Sequence, residues 1–263
     1  MNSYLQAVKT VFLSFCFIGC VQSVFASDHL APAQHQSPQL QIKSNVKKPQ
    51  SAVEGLPDPV LKAAINAYEW ALAHHKVANP YMMAVVDFDM PSYERRLWVI
   101  DLRNKHVIMY MHVAQGRRSG KVYATRFSNQ SGSHESSPGL FVTVGHQYKG
   151  EFGDSLRLEG LEPGINDNAY NRGIIIHSEW YITPHFINHM GYAGRTWGCF
   201  AVNPEHIRRL IELEQGGSVF FAYAIPEKND PLVNHPLSPA GRKLYDQIEN
   251  INNNPLIRFF EAF

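Results

Sequence analysis

Between Pro80 and Ala224 the chain breaks into short apolar, β-branched runs divided by clusters of Pro, Gly, Asn and Ser. This rhythm points to a mainly β fold, a sandwich or barrel with small flanking helices. The runs are 81–88, 96–102, 106–113, 139–144, 155–161, 173–178 and 218–224, with a short helix expected over 204–214. Ahead of them, Asp58-Pro59 offers an N-cap and a proline at the first helical position. Leu61, Ile65, Tyr68 and Leu72 then recur at helical spacing, so a packing helix is expected within 56–79. Residues 80–226 read as the main domain, and 227–263 as a polar turn region followed by an amphipathic tail helix from Pro239. No internal repeat is visible.

The N-terminus reads differently. Lys9 precedes an apolar stretch from Val11 to Val21, and Val24-Phe25-Ala26 supplies a small-residue cleavage site. Residues 1–26 therefore read as a secretory signal peptide, too short for a membrane span. Its removal leaves no transmembrane segment, and the protein is expected to be exported, periplasmic or wall-associated. Gly19-Cys20 resembles the end of a lipobox, but Phe17 is a poor residue at its start, which disfavours a lipid anchor at Cys20. Residues 27–55, rich in Gln, Pro, Ser, Ala and Lys, read as a disordered tether. The full chain carries 24 Lys and Arg against 23 Asp and Glu. Removing Lys9 with the signal peptide brings the formal charge to zero, so no basic field is expected for nucleic acid or anionic lipid.

Of three cysteines, Cys16 and Cys20 leave with the signal peptide, and Cys199 alone remains. An exported protein usually pairs its cysteines; an odd one is either incidental or a working nucleophile. Gly173-Ile174-Ile175-Ile176-His177-Ser178 reads as a buried strand with a histidine emerging at its end. A neighbouring imidazole can lower the pKa of a thiol and later return the proton to a leaving amine. Gly198 removes a side chain where a substrate carbonyl would approach, and the N–H groups of Gly198 and Cys199 would face an oxyanion. The spacing from His177 to Cys199 does not bring them together by itself. On these residues alone, His177 as a satisfied core histidine and Cys199 as a small buried hydrophobe stand level with the catalytic reading.

The region from Val85 to Ala224 resembles the murein L,D-transpeptidase catalytic family, with its YkuD-like fold, in the branch whose cysteine motif reads Ser-x-Gly-Cys. The resemblance is carried by Val113-Ala114-Gln115-Gly116 with Ser119-Gly120, by Phe127-Ser128-Asn129 with Ser136-Ser137-Pro138-Gly139, by Ser155 to Glu162, by Asn166 to Ala169, and by Thr196-Trp197-Gly198-Cys199. It implies a cysteine enzyme acting on peptidoglycan stem peptides. The thiolate would attack the L-centre carbonyl of the third stem residue, expel D-alanine, and pass the acyl group to an amine, forming 3-3 cross-links, or to water. Carried over by motif, Cys199 is the nucleophile, His177 its base and acid, and Ser178 orients His177 through its carbonyl. Gly198 helps form the oxyanion hole, Arg195 meets a substrate carboxylate, and Thr196 and Trp197 line the substrate site. No cofactor is implied.

Several positions depart from the family pattern. Thr196 stands where the family has serine, Trp197 where the better-known branch has histidine, and Gln115 where the family has histidine. The interval from His177 to Cys199 is also longer, which implies an inserted flap over the site. His185 and His189 have a zinc-like spacing but no Glu between them and no evident third ligand, so no metal is expected. An L,D-carboxypeptidase using the same acyl-enzyme and a non-catalytic wall-binding module remain as alternative functions; nothing resembles a papain-type peptidase. Oligomeric state is left open.

Overall fold

The computed structural model describes residues 55–253. The signal peptide, Cys20 and almost all of the tether expected from the sequence lie outside the described residues. Among the described residues no helix is long and apolar enough to cross a membrane.

Among the described residues ten strands form in chain order: β1 (Met82–Asp87), β2 (Leu97–Asp101), β3 (His106–Met111), β4 (Gln115–Gly116), β5 (Gly139–Gly150), β6 (Gly153–Gly160), β7 (Ile175–Ser178), β8 (Arg195–Thr196), β9 (Phe200–Val202) and β10 (Val219–Tyr223). Four α-helices accompany them: α1 (Asp58–Ala73), α2 (Pro184–Met190), α3 (Pro204–Glu214) and α4 (Pro239–Asn253). Eight strands make one sheet in the order β3-β2-β1-β10-β5-β6-β7-β9, and β4 and β8 form a separate pair. The expected mainly β architecture is borne out. The α3 bounds match the sequence expectation, and α4 begins at Pro239 as expected. At α1 the N-cap is Pro57 rather than Asp58, and no side chain caps the first turn; Asp58 instead pairs loosely with Lys62 one turn on.

Alternation along the strands builds two apolar faces. Met83 and Val85 of β1, Trp98 and Ile100 of β2, and Val219 and Phe221 of β10 point to one side, where α1 and α4 cover them. Ala84, Val86, Leu97, Val99, Phe220 and Ala222 point to the other. On that second side all eight strands contribute to one cluster, from Met111 of β3 to Phe200 and Val202 of β9. A flat sheet could not bring its two edge strands to a common core, so the sheet curls into a barrel-like wall around it. Ile207, Leu210 and Ile211 of α3 pack against the same core, and Asn203 caps that helix by accepting the Glu205 N–H.

The core fixes the edge that carries the chemistry. Phe200 of β9 meets Phe220 edge-on at 4.7 Å and Phe141 at 5.7 Å between ring centroids. Each such buried ring contributes about 1.5–3 kcal/mol by burial alone, with about 0.5–1.5 kcal/mol more from the aromatic geometry. The residue after Cys199 is thus anchored in a buried aromatic cluster of the core. Parallel pairing of β9 with β7 then aligns Ile176 with Phe200 and His177 with Ala201.

Candidate active site

His177 and Cys199 reach the same face of the sheet for a simple reason. Ile174 and Ile176 turn into the barrel-like core, so Ile175 and His177 turn away from it. Extending the β7–β9 register back one residue puts Cys199 beside Ile175, two positions from His177 along the neighbouring strand. A strand spacing of about 4.8 Å and a rise of about 3.3 Å per residue separate their backbones by roughly 8 Å. The register thus sets Cys199 and His177 on one face of neighbouring segments, with the sulfur turned toward the Gly173 carbonyl.

The surroundings of His177 favour a neutral base. The residue is 2 % exposed. Its Nδ1 lies 3.2 Å from the carbonyl oxygen of Ser178 and 3.9 Å from Oε1 of Glu179, and its ring lies 4.6 Å from that of Phe152. Burial pushes its pKa down, and the Ser178 carbonyl only partly offsets this. With Nδ1–H donated to that carbonyl, Nε2 keeps its lone pair.

Cys199 is partly exposed. Its Sγ lies 3.6 Å from the carbonyl oxygen of Gly173. Burial pushes the thiol pKa up; the Ile175 N–H and the positive charge of Arg172 act against this. The cation acting on the sulfur comes from Arg172, a residue the sequence reading passed over, while burial holds the His177 pKa down.

Arg172 is built into the site by the loop beneath it. Its guanidinium donates to the Ser128 carbonyl and to Ser137 Oγ at 2.5 Å, to the Glu135 carbonyl at 2.7 Å and to Ser133 Oγ at 3.2 Å. Gly198 touches the same group. A Cβ there would lie 2.8 Å from the Glu135 carbonyl oxygen, 3.0 Å from Ile174 Cδ1 and 3.3 Å from Arg172 Nη2, at a φ of +121°. Glycine is thus required because the loop and the guanidinium crowd the backbone, in addition to any approach by substrate. The Gly198 N–H is also not free for an oxyanion: it is donated to Thr196 Oγ1 at 3.1 Å. That hydroxyl in turn donates to the Cys199 carbonyl at 2.7 Å. Thr196 consequently closes the turn that presents the thiol, a task its hydroxyl performs as a serine's would.

The remaining expected residues surround this turn. Trp197 is 66 % exposed, stacked on His134 at 4.7 Å with the Arg117 guanidinium 5.8 Å from its ring. Arg195 donates to the carbonyls of Arg117 and Gly120 at 3.2 and 3.4 Å, so part of its donor capacity is spent on the protein. It lines a groove of about 290 Å³ with Trp180, Tyr181, Phe186 and Tyr192. Gln115, buried in β4 beside Arg195 of β8, serves as an acceptor for the buried Arg96, taking a bond from its Nη2 at 2.9 Å. The long interval between His177 and Cys199 forms a 3₁₀ turn (Trp180–Ile182) and α2, where Thr183 accepts the Phe186 N–H and Gly191 closes the helix in the left-handed region. His185 and His189 are exposed on that helix.

Comparison with known proteins adds a family. A sequence model of the L,D-transpeptidase catalytic domain matches residues 53–223, well over half of the chain. No curated protein sequence matches it. Among solved structures, an L,D-transpeptidase from Mycobacterium smegmatis aligns at 16 % identity over 55 % of this chain and 59 % of that one, with a TM-score of 0.34. An L,D-transpeptidase from Stackebrandtia nassauensis aligns at 15 % identity over 65 % of this chain and 69 % of that one, also at 0.34. At these values the family assignment rests on the sequence match.

Proposed function

Because the chain belongs to the family of L,D-transpeptidase catalytic domains, we propose that it is an exported cysteine acyltransferase that joins peptidoglycan stem peptides through 3-3 cross-links. The observation that carries this reading is the placement of Cys199 and His177 on one face of adjacent strands inside the matched region. Thiol and imidazole are both neutral at rest. As the sulfur attacks the L-centre carbonyl of the third stem residue, His177 takes the thiol proton. The tetrahedral intermediate collapses by breaking the bond to D-alanine, whose amine leaves with that proton, and a thioester remains on Cys199. An amine of a second stem then attacks the thioester, His177 removes its proton, and the thiol is regenerated as the new amide forms.

Arg172 assists by holding positive charge beside the sulfur as it becomes anionic. The aromatic groove beside Arg195 suits the extended stem, and Trp197, two residues before Cys199, is exposed to meet it. Incubation of the mature protein with stem tetrapeptides ending in diaminopimelate–D-alanine tests the reading. Released D-alanine with a diaminopimelate-linked dimer is expected. Tripeptide without dimer would make the protein a carboxypeptidase, and binding to wall fragments without either product would make it a wall-binding module.

A further inference from the structure

A second cluster of chemistry lies away from the thiol. Glu162, at the start of the β6–β7 connection, is 3 % exposed, and Glu227, in the 3₁₀ turn that follows β10, is 0 % exposed. With the partly exposed Asp230 they bring carboxylate oxygens within 4.8 Å of one another. Glu162 Oε1 accepts the Leu140 N–H, and Asp230 Oδ1 accepts the Leu232 N–H at 2.8 Å. Both oxygens of Glu227 are buried without a hydrogen-bond partner among the described residues, and the Glu162 carboxyl lies within hydrogen-bond reach of Asp230. Lys228, next in sequence, is turned toward Asp89 at 2.8 Å. A groove of about 420 Å³, lined among others by Glu162, Asn229 and Asp230, opens onto the cluster.

Buried carboxylate oxygens without donors are costly, and three acids converging on one point repel one another. We propose that Glu162, Glu227 and Asp230 form a binding site for a hard divalent cation such as calcium. All of the available donors are hard carboxylate oxygens, which suit calcium, magnesium or manganese rather than zinc. Oxygens within 4.8 Å of one another can share one such ion at the usual metal–oxygen distances of about 2.0–2.6 Å, and the groove admits the waters that would complete its coordination. The ion would tie the segment after β10 to Glu162, which holds the first residues of β5.

Protons compete for the same oxygens. Burial, with Glu227 and Asp230 nearby, pushes Glu162 up to about 9, and burial with Asp230 pushes Glu227 up to about 8. Cation binding therefore releases protons and strengthens as pH rises.

The test uses the mature protein stripped with EGTA and titrated with calcium chloride, followed by thermal unfolding and calorimetry in two buffers of different ionisation enthalpy. A Tm rise of about 5–10 °C at a hundredfold excess over Kd is expected, with proton release on binding. Asp230→Asn, at a partly exposed position, and Glu227→Gln, a neutral isostere, should each fold and lose the calcium response. No Tm change and no binding heat with calcium, magnesium or manganese would overturn the proposal. So would a response left intact in both variants.

Discussion

The connection from β6 to β7, residues 161–174, has two charged residues near its ends that are treated in opposite ways. Glu162 at its start is buried against two other acids, Glu227 and Asp230, with no cation beside it among the described residues. Arg172 near its end spends its donors on Ser128, Ser133, Glu135 and Ser137. A saturated charge is a fixed part of the scaffold, and its field is available to whatever sits beside it, here the sulfur of Cys199. An unsaturated charge must instead take up a proton or a cation. One loop thus carries a rigid electrostatic element at the thiol end and an exchangeable one at the carboxylate end.

The largest effect should come from His177→Ala. Loss of the proton carrier should lower the rate of D-alanine release by about 10²–10⁴-fold, with stem-peptide binding retained. Unchanged turnover would remove the imidazole from the mechanism.

Arg172→Met tests the saturated end. It deprives four acceptors of their donor, and a loss of about 2–4 kcal/mol in stability is expected from urea unfolding. The same variant should shift the pH midpoint of Cys199 alkylation upward, because the cation that restrains the thiol pKa is gone. In the unaltered protein that midpoint should already lie above that of a free thiol. A midpoint below the ordinary thiol value would restore the ion-pair picture.

The two ends should also titrate with opposite sign. In EGTA, Glu162 and Glu227 hold protons in the folded state up to about pH 9 and 8 but lose them near the ordinary carboxylate range when unfolded. Their contribution is complete at acid pH and lost as pH rises through those values. His177 has a depressed pKa, so its contribution is present above the ordinary histidine range and lost as pH falls through it toward the folded value. Tm in EGTA should therefore fall between about pH 6 and 9, and Glu162→Gln with Glu227→Gln should flatten that fall. Glu214, buried at the C-terminal end of α3 and also pushed up, leaves a residual slope. Added calcium should flatten it in the unaltered protein; an identical profile with and without calcium would break the comparison.

Thr196 gives the smallest effect. Thr196→Ser keeps the hydroxyl between the Gly198 N–H and the Cys199 carbonyl, so stability and rate should stay within a factor of about three. Thr196→Val removes it and should cost about 1–3 kcal/mol.

What could be read from the sequence followed the strength of local pattern. β1, β2 and β10 are apolar runs buried on both faces, and α3 and α4 begin at prolines, so both kinds of element were legible. β4 and β8, at two residues each, carry no period at all, and β5 continues past Val144 as an exposed, polar ribbon through a break in register. Cys199 and His177 stood out as a lone thiol and as the polar end of an isoleucine run. Arg172 did not, because its partners lie 35–44 positions away in a loop whose path no local pattern discloses. Glu227 and Asp230 looked like ordinary turn residues; only the fold sets them against Glu162.

The central claim is that Cys199 itself carries the acyl group. Intact-mass measurement of the mature protein quenched in acid during turnover of a stem tetrapeptide tests it directly. The account predicts an adduct equal to the tetrapeptide less D-alanine, mapped by proteolysis to the peptide containing Cys199 and absent from Cys199→Ala. D-alanine release that persists in Cys199→Ala, or an adduct on any other residue, would contradict it.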